Sequence, residues 1–101
     1  VFSTPSMIAL MEKASRELVQ PYLEEGQSTV GTRLEVSHVA ASPIGAHIRA
    51  ESTLVEIDRR MLTFEVKAYA DGELIGEGRH QRCIIYAERF MEKALAKQKK
   101  A

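Results

Sequence analysis

The chain has 101 residues, of which 45% are hydrophobic and 28% charged. That fits one small globular domain and leaves no room for two. Fourteen basic and 14 acidic side chains cancel to a formal net charge of zero, which excludes a general electrostatic pull toward nucleic acid or an anionic membrane surface. No apolar run approaches the roughly 20 residues that cross a bilayer, and Val1-Phe2-Ser3-Thr4-Pro5 lacks the basic and apolar segments of a signal peptide. The single Cys83 excludes an internal disulfide and a Cys-based metal site, and is compatible with the cytoplasm, the expected location.

The first predicted element is a long helix. Thr4 is placed to cap it and Pro5 suits its first position. Ile8, Met11, Ser15, Leu18, Val19 and Tyr22 follow helical spacing, Pro21 shortens or kinks the last turn, and Gly26 stops it.

Four strands follow. The first, about 28–41, alternates so that Val30, Leu34, Val36 and His38 share a face, with Gly31 marking a bulge or a close backbone approach. The second covers about 46–57, with His47 on the exposed face. The third, 61–70, sets Leu62, Phe64, Val66 and Ala68 against Thr63, Glu65, Lys67 and Tyr69. Asp71-Gly72 is a hairpin signal. In the fourth, about 74–86, a three-residue loop puts Leu74, Gly76, Gly78, His80, Arg82 and Ile84 on the core face and keeps Glu77 and Arg79 outside. Gly76 and Gly78 then let a helix lie close to the sheet. A charged helix, about 87–99, ends in Lys97-Gln98-Lys99-Lys100, read as a solvated tail. One helix followed by short-linked strands defines an α+β domain over residues 1–101, most simply an antiparallel meander packed on one helix.

Three residues stand out chemically. His38 aims an imidazole into an apolar layer, where it is a satisfied core histidine or a catalytic base. Glu12 lies about 40° from Ile8 on a helical wheel, at the edge of the apolar stripe; it reaches water from the rim, or it orients an imidazole or attacks a carbonyl. Thr4 is a helix cap, or a nucleophile in the positive potential of a helix N-terminus. His80 and Arg82 face the core in the favoured register, Arg82 as a phosphate ligand or a rim cation. No phosphate-binding loop, dinucleotide fingerprint or metal-ligand cluster is present in the sequence. Spacing alone does not make Thr4, Glu12 and His38 one site.

Three blocks of the chain, VFSTPSMIALME (1–12), VGTRLEVSHVAASPIG (30–45) and LIGEGRHQR (74–82), together resemble the hotdog-fold thioesterases related to fluoroacetyl-CoA thioesterase. The resemblance implies a curved antiparallel sheet wrapped around one long central helix. It implies Thr4, Glu12 and His38 as the catalytic set, with Gly31, Thr32 and Arg82 as substrate-binding residues. The implied activity is hydrolysis of a short-chain acyl-CoA, with His38 as general base, no metal and no cofactor. The resemblance also implies a homodimer with active sites at its interface, or a dimer of dimers. A free sheet edge supports association independently. The family's opening strand and aromatic lid have no counterpart in this chain, and Pro5, Ser6 and Lys13 differ from the fluoroacetyl enzyme. The alternatives are a non-catalytic hotdog module that binds acyl thioesters or serves as a dimeric scaffold, and a related dehydratase, for which the helix Thr has no obvious use.

Overall fold

The computed structural model describes residues 2–100. Helix α1 (Thr4–Val19) leads through a 3-10 turn (Gln20–Tyr22) to strands β1 (Gln27–His38), β2 (Ile48–Asp58), β3 (Met61–Ala70) and β4 (Glu73–Tyr86), and the chain continues into helix α2 (Ala87–Lys100).

The cap of α1 is Ser3, one residue earlier than expected. Its side chain accepts the Ser6 amide at 3.2 Å and its carbonyl accepts the Met7 amide at 3.0 Å. Thr4 is thus the first helical residue and Pro5 the second, where the missing proline N–H costs little because first-turn amides lack helical partners. The Thr4 hydroxyl is left free of capping duty. Met7, Met11, Ser15 and Val19 form the buried stripe. Ile8 is only half-buried, while Leu18 and Tyr22, expected on the stripe, are 40% and 86% exposed. The helix gives way at Gln20 to the tighter turn containing Pro21, which carries Tyr22 off the stripe. Buried Ser15 donates its hydroxyl hydrogen to the Met11 carbonyl (2.9 Å) and lies 2.8 Å from the Ser52 hydroxyl on β2.

The sheet runs β1-β4-β3-β2, antiparallel throughout. Only β2, β3 and β4 form a meander. The connection 39–47 is long enough to carry the chain from one edge to the other, so β1 pairs with β4 instead of β2. Met7, Met11 and Val19 of α1 close the core with Leu62, Phe64, Val66, Ala68, Ala70 and Ile75.

The sheet has three bulges, at Val55, Ile75 and Thr32, and the last two set which side chains of β4 and β1 face the helix. At the β3–β4 hairpin, Asp71 and Gly72 form a two-residue turn with φ of 48° and 84°, the left-handed pair that a tight hairpin requires. Tyr69 then faces Leu74 and Ala68 faces Gly76, so Ile75 is the extra residue. The bulge, rather than the expected three-residue loop, returns Gly76, Gly78, His80 and Arg82 to the core side. Ile75 enters the core in place of Leu74. In β1, Gly31 faces Arg82 and Arg33 faces Gln81, leaving Thr32 extra. Leu34, Val36 and His38 keep the expected face, but before the bulge the parity reverses, and Thr29 and Gly31 join it instead of Val30.

Helix α2 continues directly from the end of β4, and its side chains are exposed over residues 87–98. The charged tail falls partly outside the described residues, at the side chains of Lys99 and Lys100. Among the described residues no helix is long and apolar enough to cross a membrane.

Gly76 makes room for the helix, as expected: a Cβ there would lie 2.9 Å from the Met7 Cε atom. Gly78 serves the sheet instead, since its Cβ would meet the Val36 Cα at 2.6 Å. Backbone yields less readily than a methionine tip. Gly78→Ala is therefore expected to cost about 1–3 kcal/mol, read as a lower denaturation midpoint, and more than Gly76→Ala; an unchanged midpoint for Gly78→Ala would contradict this packing.

Candidate active site

The N-terminus of α1 meets the end of β1. Thr4 Oγ1 lies 2.9 Å from His38 Nδ1, between residues 34 positions apart in sequence. The other ring nitrogen, His38 Nε2, is buried with no hydrogen-bond partner among the described residues. Phe2, Ser3, Thr4, His38 and Val39–Ala41 line an open cleft of about 460 Å³ beside the pair. The hydroxyl and the imidazole are thus in proton-transfer range at a solvent-accessible cleft.

Glu12 is elsewhere. Eight residues further along α1, it stands about 12 Å from Thr4 at the helical rise. Its Oε2 lies 3.8 Å from Nη1 of Arg82. Arg82 is 4% exposed, and a guanidinium that deep must be satisfied. Its Nε donates to Thr29 Oγ1 at 2.7 Å and its Nη2 to the Thr29 carbonyl at 2.9 Å. Nη1 lies 3.2 Å from His80 Nε2. Because arginine has only donors, His80 Nε2 accepts here, so the ring proton sits on Nδ1 and is donated to the Arg33 carbonyl at 2.8 Å. Burial lowers the pKa of Arg82, Glu12 opposes that, and the positive charge of Arg16 adds to it; arginine nevertheless stays charged.

Gly31 borders this cluster. A Cβ at that position would lie 3.2 Å from His80 Cε1 and 3.5 Å from both Arg82 Nη1 and Glu12 Oε2. Glu12, Gly31, Thr32, Arg33, Leu34 and His80 line a second open cleft of about 230 Å³. Thr32 is exposed on the bulge and donates to the Gln81 carbonyl at 3.2 Å.

The structure therefore brings Thr4 to His38, and Glu12 to Gly31 and Arg82, but holds the two groups apart. The stretch from Gly31 to His38 covers seven residues, on the order of 20 Å of strand. Sequence reasoning left His80 undecided and did not single out Thr29. The bulge hid Thr29, since parity counted from His38 puts it on the outer face. Among the described residues no cluster of three or more His, Cys, Asp or Glu side chains could hold a metal ion.

Comparisons with known proteins agree with this architecture. A hot-dog-like protein from Thermanaerovibrio acidaminovorans superposes with a TM-score of 0.88 at 20% identity, covering 94% of this chain and 70% of that one. The fold is thus the hotdog fold, α+β with an antiparallel sheet packed against one long helix. The family described as fluoroacetyl-CoA-specific thioesterase matches residues 1–88. The fluoroacetyl-CoA thioesterase of Streptantibioticus cattleyicolor is 37% identical over 97 residues, 96% of this chain and 70% of that protein. A solved structure of the fluoroacetyl-CoA thioesterase FlK superposes with a TM-score of 0.92 at 37% identity, covering 96% of this chain and 72% of that one. The chain belongs to this family of thioester hydrolases.

The His80 contacts make stability depend on pH. Burial is the largest influence and lowers its pKa below 6.5; the Arg33 carbonyl raises it, Arg82 lowers it, and Glu12 raises it. The unfolded chain then binds the proton first. The stabilisation is complete above about pH 6.5 and is lost as pH falls toward the lower folded value. His80→Gln removes this term. Its unfolding free energy is expected to be lower at pH 7.5 and to fall less steeply than the parent's between pH 6.5 and 5. Parallel pH profiles in chemical denaturation would contradict the assignment.

Proposed function

We propose that the protein hydrolyses short-chain acyl-CoA thioesters at a site composed across a homodimer. The observation that carries the reading is the 2.9 Å contact of Thr4 Oγ1 with His38 Nδ1, paired with a buried, unpartnered Nε2. A carboxylate accepting from Nε2–H would leave Nδ1 as the base toward the Thr4 hydroxyl. That is the logic of a nucleophile, a base and an orienting acid.

Glu12 of the same chain is too far along α1 to be that carboxylate, whereas a symmetric partner could supply it. β1 is an edge strand, and an unpaired edge favours association. With Thr32 as the extra residue, an isologous antiparallel β1–β1 pairing centred on Glu35 sets His38 opposite Gly31 of the partner subunit. Glu12 of the partner subunit, beside that glycine, would then approach His38. Each dimer would hold two such sites.

In this mechanism His38 Nδ1 takes the Thr4 proton as Oγ1 attacks the thioester carbonyl. The C–S bond breaks, and the His38 proton passes to the departing thiolate. Water, activated by the same nitrogen, then cleaves the acyl-threonine ester. Oxyanion donors at the α1 terminus are few: Pro5 has no N–H, and the Ser6 and Met7 amides are spent on Ser3. Gly31 is the better assignment for close backbone approach to the carbonyl, with Thr32 beside it. Arg82, buried and committed to Thr29 and His80, is assigned to holding Glu12 rather than to touching substrate. No metal or cofactor enters any step. The name of the fluoroacetyl-CoA relative supports a small acyl group; the cytoplasm is the proposed location.

Thiol release from a panel of short acyl-CoAs tests the reading. His38→Ala is expected to lose about 10²–10⁴-fold in kcat while retaining CoA binding. Thr4→Ala should also abolish any acyl-enzyme seen by mass spectrometry. Tight acyl-CoA binding by the parent without turnover would favour the non-catalytic module instead. Sedimentation should give a dimer at micromolar concentration, and a monomer would contradict the composite site.

A further inference from the structure

The far end of β4 carries a feature that the Thr4–His38 chemistry does not use. Arg60, Ile85, Tyr86, Arg89, Phe90 and Lys93 line a cleft of about 170 Å³ where β4 runs into α2. Three cations converge there in a chain whose net charge is zero. Among the described residues, the ion pairs involve Lys13, Arg33, Arg49, Arg79 and Arg82, so none of these three cations has a carboxylate partner. The aromatic members are open to solvent, Tyr86 at 41% and Phe90 at 43%. The Arg89 guanidinium lies over the Tyr86 ring, 5.3 Å from its centroid. Glu88 and Glu92 flank Arg89 and Lys93 in sequence, but a helix turns adjacent residues about 100° apart, and neither lines the cleft.

The cleft is also held in place. The Ile84 amide donates to the Arg60 carbonyl at 2.8 Å, tying the β2–β3 turn to β4, and the Ala87 amide donates to the Gly26 carbonyl at 3.0 Å, fixing the start of α2. Unpaired cations suit phosphate oxygens, and exposed aromatic faces suit a stacked base.

We propose that this cleft binds a phosphorylated nucleoside, and, resting on the thioesterase reading, that it is the nucleotide end of the acyl-CoA it receives. Position supports the link. Tyr86 lies four residues beyond Arg82, about 13 Å along the strand. α1 runs the same way: Arg16 stands one turn beyond Glu12, and Gln20 donates to the carbonyl of Gln27 at 3.1 Å, the residue that faces Tyr86. An extended phosphopantetheine arm joins two such points. The thioester would sit near Gly31 and the nucleotide at Arg60, Arg89 and Lys93 of the same protomer.

Two measurements separate this proposal from the activity it rests on. By calorimetry, the parent should bind adenosine 3′,5′-bisphosphate, and Arg89→Glu or Arg60→Ala/Lys93→Ala should weaken binding about tenfold or more. In kinetics, the same variants should raise KM for acyl-CoA with kcat unchanged, and leave hydrolysis of the matching N-acetylcysteamine thioester, which lacks nucleotide and phosphates, as in the parent. No nucleotide binding by the parent, or equal affinity in parent and variants, would overturn the proposal. So would a KM for acyl-CoA that does not move. A parent that binds the nucleotide but hydrolyses neither thioester would refute the thioesterase reading and leave the nucleotide site standing.

Discussion

Everything near the Glu12 end of the site depends on satisfying one buried guanidinium. Arg82 reaches the sheet–helix interface with almost no solvent, so each of its donors must find an acceptor. Thr29 supplies two, which requires the inward face of β1 to include position 29. His80 supplies a third, which fixes its tautomer and sends its remaining N–H to the Arg33 carbonyl. The bulge at Thr32 makes both contacts compatible, because it reverses parity between Thr29 and Leu34. Gly31 follows as the residue whose missing Cβ leaves room for the His80 ring and the Arg82 head. Glu12, 42% exposed at its side chain, reaches out of this set to line the second cleft beside Gly31.

The opposite end of β1 is simpler and more open. Ser3 takes over the capping role and Pro5 needs no acceptor, so the Thr4 hydroxyl is left to meet His38. The two ends of β1 thus border different groups, Thr4 and His38 at one end and Gly31, Arg82 and Glu12 at the other. Two antiparallel copies of such a strand bring unlike ends together, while one copy cannot. Dimerisation would in this case be part of the chemistry as well as a remedy for an unpaired edge.

Much of the fold was legible from periodicity. The strand positions, the inward run Leu62–Phe64–Val66–Ala68 and the Asp71-Gly72 turn read directly from the sequence. What misled the reading was local and physical. A single extra residue at Ile75 or Thr32 flips every later side chain to the other face, and no composition signal marks a bulge except a nearby glycine. Gly31 gave that signal; Gly76, next to Ile75, carried the same one but was read only as room for the helix. The Ser3 cap was hidden because Ser and Thr adjoin and both cap well. The β1–β4 pairing was not visible because strand order depends on a long connection whose path no local pattern records. For the site, the residues were named by resemblance and by parity, yet their division into two groups could appear only once α1 and β1 had lengths in space.

The composite site is the central claim, and mixed dimers test it most directly. His38→Ala and Glu12→Gln subunits are each expected to be inactive alone. Refolded together in equal amounts, half of the dimers are hybrids, and one of the two sites in each hybrid combines an intact His38 with an intact Glu12. The account predicts recovery of about a quarter of the parent thioesterase activity; activity no higher than that of the separate variants, with hybrid dimers present, would contradict it.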